Sequence, residues 1–423
     1  MRFAFVALLI ILLTSNIWAQ NLDYAKSVVK VLCAEDYHGR GYVNDGSKKS
    51  ANFIHSEFKK AGLKGVQFQK FTHSVNTFPG KLSVAIDGNE LKPGKDYQVE
   101  PSSKGCSDLA LNLVYLQAKH LKSYRKFKRF VKKHNWSQSA LVYSNSIIVN
   151  INDDNVGRAF ANNEFGAAAY INIVEAEKLT WSVRDRVKNR IWIEILEGSF
   201  PKNARAISLN IEQEFISEFN NQNVLGFLSG KSSDSTIVFT AHYDHLGRMG
   251  TEACFYGTND NAGGTAMLLD LANFYAKNDS LRKYNMLFIA FAGEEAGLVG
   301  SKYYVENPVY PLEQISLLIN LDLVTNGQDG MTVVNGRVFK GVMKMLKKIN
   351  GEKEYMTVIK GRGKAANSDH YHFSENGVRS IFIYLLGDYP YYHDINDTPD
   401  KPSWAGYNNF FHLIVDLCNT IAE

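Results

Sequence analysis

Four short apolar runs in the C-terminal half each lead straight into an acid or an imidazole, and this pattern constrains the chain more than any other feature. Thr236–His242 reads as a strand that runs into His242-Tyr243-Asp244. Met286–Phe291 reads as a short buried strand that leads into Glu294-Glu295, and Ile315–Leu323 carries Asp322 at its end. Ser380–Leu385 is followed by the loop Tyr391-Tyr392-His393-Asp394. Runs this short and this rich in Ile, Leu, Val and Phe are those of strands buried on both faces. Another strand is read at Val224–Leu228, and helical stretches at Ala262–Ala276, Phe339–Ile349 and Trp404–Ile421. The alternation predicts an α/β fold, a mostly parallel mixed sheet flanked by helices. Ligands of such open sheets bind beyond the carboxyl ends of the strands.

The N-terminal half reads differently. Arg2, the 11-residue apolar run Phe3–Leu13 and the small Ala19 together read as an export leader, residues 1–19, cleaved after Ala19. The run is too short for a membrane span, and no later stretch reaches about 18 uncharged apolar residues. The expectation is an exported chain, periplasmic or secreted, with no integral membrane segment once the leader is removed. Leu22–Leu63 reads as mostly helical, interrupted at Tyr37–Gly41. Turn signals then crowd together at Pro79-Gly80, Asp87-Gly88 and Pro93-Gly94. Residues 79–206 are therefore expected to form an inserted, smaller β-rich subdomain. Residues 20–78 and 207–423 should make the main domain.

Charge and composition remove several classes. Lys and Arg number 47 against 43 Asp and Glu, a net of +4 that is too small over 423 residues to point to nucleic acid. A hydrophobic fraction of 45% with 12% aromatic residues excludes a disordered chain. One basic run, Lys119 to Lys133, places Leu121, Tyr124, Phe127 and Val131 along one side of a helix, which suits a solvated amphipathic helix or contact with an anionic surface. Cys33, Cys106, Cys254 and Cys418 are widely spaced and match no zinc knuckle, so they read as buried thiols or one incidental bridge.

The acids and imidazoles at the strand ends share one rim with Asp260, in the segment Gly257–Gly264 just before a helix. Carboxylates crowded there repel unless protons or a metal compensate them. A mixed His/Asp/Glu set without thiolates suits zinc, and also manganese or cobalt.

The motifs resemble the M28 family of zinc exopeptidases. The matching segments are Ala241-His242-Tyr243-Asp244-His245, Asn259-Asp260-Asn261-Ala262-Gly263-Gly264, Phe291-Ala292-Gly293-Glu294-Glu295-Ala296-Gly297, Leu321-Asp322 and Tyr392-His393-Asp394. Ser368-Asp369-His370 and Thr398-Pro399-Asp400 are also similar to family segments. The resemblance implies an aminopeptidase acting on peptides with two zinc ions per chain. It implies that Asp260 bridges the ions, that His242 and Asp322 complete one site, and that Glu295 and His393 complete the other. Asp244 would orient His242, and Glu294 would be the general base that takes a proton from the attacking water. The peptide bond after Asp260 would be cis. Where some family members place a tyrosine to hold the oxyanion, this chain has Gly363–Asn367; Tyr371, Tyr391 and Tyr392 are the alternatives. Cys254, six residues before Asp260, reads as packing, and His245, His370 and His372 as supporting or structural. The insertion weakly resembles protease-associated-type domains. Two further readings stand beside the aminopeptidase: a glutaminyl-peptide cyclotransferase-like enzyme using a single zinc, and an inactive binding protein on a peptidase scaffold. The intact Glu294 and the full ligand set argue against the last.

Overall fold

The computed structural model describes residues 20–149 and 151–421, so the export leader and its cleavage point after Ala19 lie outside the described residues. The apolar runs assemble into an eight-stranded sheet. Its order is Lys64–Thr77, Glu214–Leu228, Tyr284–Phe291, Ser232–His242, Ile315–Leu321, Ser380–Leu386, Gly330–Val334, Ile359–Gly361. The four strands from Tyr284–Phe291 to Ser380–Leu386 are mutually parallel, so their carboxyl ends line up on one edge. Antiparallel pairs flank them on both sides.

Strand alternation divides the side chains between two cores. Ile237, Phe239 and Ala241 pack under the helices Leu22–Leu32, Gly46–Ala61, Gly263–Lys277, Lys340–Lys353 and Tyr407–Ile421. Val238 and Leu318 face the opposite way, with Tyr304 of Val299–Glu306 and Phe373 of His370–Glu375. This is the α/β architecture expected from the sequence.

The structure extends the sequence reading in places. The strand expected at Val224–Leu228 starts ten residues earlier, at Glu214, and pairs along its length with Lys64–Thr77. Both outer halves are polar and partly exposed, which hides them from a search for apolar runs. The basic run is two short helices, Ala118–Leu121 and Tyr124–Val131, because Ser123 between them is extended, with φ −168° and ψ 154°. Leu121, Phe127 and Phe130 are its buried residues.

All strands of a second eight-stranded sheet lie between Leu82 and Ile211. Its core includes Val84, Ile86, Ile171, Ile193, Ile207 and Leu209. The strand Ala206–Ile211 belongs to this sheet, so the sheet runs past the boundary expected at residue 206; Ile207, Leu209 and Ile211 alternate into its core. Phe78, Leu246, Met249 and Phe255 join the same core from the main chain segments, and Trp181 stacks on Phe255 with ring centroids 4.9 Å apart. Among the described residues no helix is long and apolar enough to cross a membrane.

Candidate metal centre

The aligned strand ends deliver the side chains. His242 is the last residue of Ser232–His242, Asp322 follows Ile315–Leu321, and Glu294 and Glu295 follow Tyr284–Phe291 after one turn. His393 comes from the loop after Ser380–Leu386. Asp260 stands just before the helix Gly263–Lys277, which starts hard against the Asp322 strand: a Cβ on Gly264 would lie 2.5 Å from the Leu321 carbonyl oxygen and 2.2 Å from Asn261 Oδ1. Only glycine fits there.

Two residues brace the Asp260 backbone. The buried Asp397 carboxylate accepts from the Asn259 N–H at 2.9 Å and the Asp260 N–H at 3.2 Å. The fully buried Arg40 guanidinium donates to the carbonyls of Tyr243 (2.7 Å), Gly257 (2.6 Å), Tyr256 and Asp260 (3.3 Å). The Asp260–Asn261 peptide bond is cis.

The two carboxylate oxygens of Asp260 face different partners. Oδ1 is 3.4 Å from His242 Nε2, which is 3.3 Å from Asp322 Oδ2. Oδ2 is 3.2 Å from His393 Nε2, which is 3.3 Å from Glu295 Oε2. A tetrahedral zinc ion with ligand bonds of about 2.0–2.1 Å sets its ligand atoms about 3.3–3.4 Å apart. The imidazole–carboxylate distances in both groups match that spacing. Asp322 Oδ1 is also buried without a hydrogen-bond partner. The donor set therefore fits zinc; the ligand atoms of His242, Glu294 and Asp322 gather in one group and those of His245, Asp260 and Glu295 in another, and Asp260 faces both His242 and His393.

Backbone carbonyls set both imidazoles. His242 Nδ1 is 3.1 Å from the Asp244 carbonyl oxygen, and His393 Nδ1 is 2.9 Å from the Trp181 carbonyl oxygen. With Nδ1–H donating, each Nε2 presents its lone pair to the carboxylates. The Asp244 carboxylate stands 3.9 Å from His242 Nδ1 and is engaged elsewhere. It accepts from the Tyr42 hydroxyl at 2.7 Å and from the N–H groups of Glu294 at 3.2 Å and Glu295 at 3.3 Å. Asp244 thus meets His242 through its main chain and holds the Glu294-Glu295 turn through its side chain.

The electrostatics call for positive charge in both groups. Burial opposes charging of His393, yet Glu295 and Asp260 pull it up to about 11. His242 is likewise raised, against burial, by Asp322 and Glu294. Burial alone would raise Asp260 and Glu295, but the imidazoles hold Asp260 well below the carboxylate range and Glu295 at about 2. Divalent cations supply that charge as protons do. Glu294 differs: burial, with Glu295, Asp369 and Asp322 nearby, pushes its carboxyl well up despite His242.

Every metal-ligating residue expected from the sequence lies in this cluster. The others divide. His245 Nδ1 is 2.8 Å from Glu295 Oε1, so it supports that carboxylate. His370 is fully buried, and burial lowers it to about 4. Cys254 is a buried free thiol in the short strand Ala253–Phe255, and all four cysteines are free. Of the three candidate tyrosines, Tyr392 lines the cavity over the cluster, its ring stacked on His393 at 4.0 Å. Sequence reasoning missed Tyr42, Asp397 and Trp181. Asp397 directly precedes the noted Thr398-Pro399-Asp400 segment, whereas no local pattern marks Tyr42 or Trp181. Ser368, noted within its motif, donates to Asp322 Oδ2 at 3.0 Å.

A sheet with a parallel centre, helices on both faces and a cluster of acids and imidazoles at the strand ends defines a zinc-exopeptidase-like α/β fold. Residues 223–418 match peptidase family M28, and the chain contains a domain of that family. Among curated relatives, a probable leucine aminopeptidase of Arthroderma otae is 24% identical over 247 residues, 56% of this chain and 63% of the relative. Aminopeptidase YwaD of Bacillus subtilis is 26% identical over 257 residues, 55% of this chain and 52% of the relative. The chain thus spans less than two thirds of either relative's length. Among solved structures, a zinc aminopeptidase from Bacillus subtilis superposes with a TM-score of 0.68 at 20% identity, covering 93% of each chain. A peptidase M28 precursor from Shewanella amazonensis superposes at 0.65 with 16% identity, covering 95% of this chain and 97% of its own. At these identities the likeness is one of fold.

Proposed function

We propose that this chain is an exported, zinc-dependent exopeptidase that removes N-terminal residues from peptides, with two ions per chain. The observation that carries the reading is Asp260, whose oxygens face two separate His/carboxylate pairs at 3.2–3.4 Å. The metal count of the purified protein separates this reading from a single-zinc cyclotransferase. His242, Asp260 and Asp322 would hold one ion, and His393, Asp260 and Glu295 the other. Zinc bound there supplies Lewis-acid polarisation of a carbonyl and acidifies water.

The chain's own groups do the rest. The carbonyls of Asp244 and Trp181 hold the two imidazoles in the tautomer that presents Nε2. Glu294 ligates neither ion in this assignment, and its carboxylate takes a proton from the attacking water and passes it to the leaving amine. Tyr42, through Asp244, holds the turn that aims Glu294. The export leader 1–19 and the division into 20–78, 79–206 and 207–423 belong to the same proposal; the separate second sheet supports the insertion, with Ile211 as its last strand residue.

The test is a set of peptides with free and blocked amino termini on zinc-loaded protein, with products identified by mass. Release of the first residue from free-terminus peptides alone is expected. Cleavage of blocked peptides at the same rate, or loss of C-terminal residues, refutes the reading.

A further inference from the structure

The cavity over the cluster has a volume of about 250 Å³, and besides His242, Asp260, Asp322, His393 and Glu294 it is lined by Leu323, Arg362, Asn367, Phe382, Tyr384 and Tyr392. Ligand pockets usually run to ~300–1,000 Å³. A smaller one takes a residue or two, so whatever lines it is within reach of the scissile bond.

Arg362 is the one cation in that wall outside the ligand set. It follows the strand Ile359–Gly361, while Tyr384 lies in Ser380–Leu386, and both strands pair with Gly330–Val334. Arg362 Nη1 donates to the Tyr384 hydroxyl at 3.3 Å. A phenol that accepts in this way keeps its own O–H free to donate. The remaining guanidinium N–H groups have no carboxylate partner among the described residues, whereas Lys364, two positions on, is paired with Glu375. Arg362 and Asn367 are exposed at this cavity, so both are open to a ligand that enters it.

Building on the peptidase reading above, we propose that Arg362 and Tyr384, with the Asn367 amide, form a carboxylate subsite. The preferred substrates then carry a free carboxylate close to the scissile bond. A guanidinium fork and an adjacent hydroxyl match the two oxygens of that group. In a peptide the carboxylate comes from one of two sources, the side chain of an acidic first residue or the terminus of a dipeptide.

Two peptide pairs separate these sources. Glu-Ala-Ala-amide against Gln-Ala-Ala-amide reads the side chain, and Leu-Ala against Leu-Ala-amide reads the terminus. Dissociation constants are measured by calorimetry on zinc-loaded Glu294→Gln protein, which reads recognition without turnover. In at least one pair the carboxylate member should bind about tenfold tighter or better, as expected of a charge-assisted bidentate contact. Adding Arg362→Met should bring that ratio to within about twofold of one, Arg362→Lys should keep part of it, and Tyr384→Phe should reduce it. Ratios near one in both pairs, or a ratio that survives both Arg362 substitutions, overturn the subsite. Hydrolysis of the four peptides by the parent protein is scored separately. A protein that discriminates but releases no first residue defeats the peptidase reading and leaves the subsite standing.

Discussion

Asp270 should make this protein less stable as the pH rises from about 4 to about 7. It lies within the helix Gly263–Lys277, 3% exposed, and accepts from the Asn21 N–H at 3.3 Å. Burial pushes its carboxyl from an ordinary 3.8 up to about 7. Below pH 3.8 both folded and unfolded chains hold the proton and nothing changes. Between 3.8 and about 7 the unfolded chain has lost its proton while the folded chain keeps it, so stability falls as pH rises. The slope is about 1.4 kcal/mol per pH unit, and the total over that window is on the order of 4 kcal/mol. Asp270→Asn keeps an acceptor for Asn21 and removes the titration. Urea unfolding of parent and variant, compared from pH 4.5 to 8, cancels every group they share. The variant's stability relative to the parent should rise by about 3 kcal/mol between pH 4.5 and pH 8. Parallel curves at every pH refute the argument. Were the chain cleaved after Ala19 as proposed, the new Gln20 ammonium would sit one residue from the Asn21 amide that touches Asp270. A chain that begins at Gln20 should lose less stability toward pH 8 than one carrying extra residues before it.

Glu294→Gln should keep its zinc while turnover falls about 10²–10⁴-fold, the usual cost of losing a general base; near-parental turnover would assign the proton to another group. Tyr42→Phe removes the 2.7 Å hydrogen bond to the buried Asp244 carboxylate and should cost about 1.5–3 kcal/mol in urea unfolding. An unchanged midpoint would mean that Asp244 needs only its two backbone donors.

How much of this was legible in the sequence depended on burial. Strands such as Ile315–Leu321 are buried along almost their whole length and so show as continuous apolar runs with their site residue directly after. That made the rim of His242, Asp260, Glu294, Glu295, Asp322 and His393 readable, and their order along the chain carried the family resemblance. Asp322 and Leu323 were read as strand, but the strand ends at Leu321 and Leu323 turns out of it with φ +55°. Lys64–Thr77 escaped notice because its outer half faces solvent and its residues alternate with polar ones. The supports of the site were hidden for a different reason. Trp181 comes from the segment between strands of the second sheet, 212 residues before the His393 ring that its carbonyl receives, and Tyr42 is 202 residues from Asp244. Contacts that distant leave no local pattern of spacing or polarity.

The central claim is that two zinc positions share Asp260, and metal analysis tests it most directly. Protein loaded with zinc and freed of excess by gel filtration should carry about two ions per chain. His242→Ala and His393→Ala, each removing a ligand from one position, should each lower the zinc content, and Asp260→Ala should lower it most. Full zinc occupancy in all three variants would contradict the account.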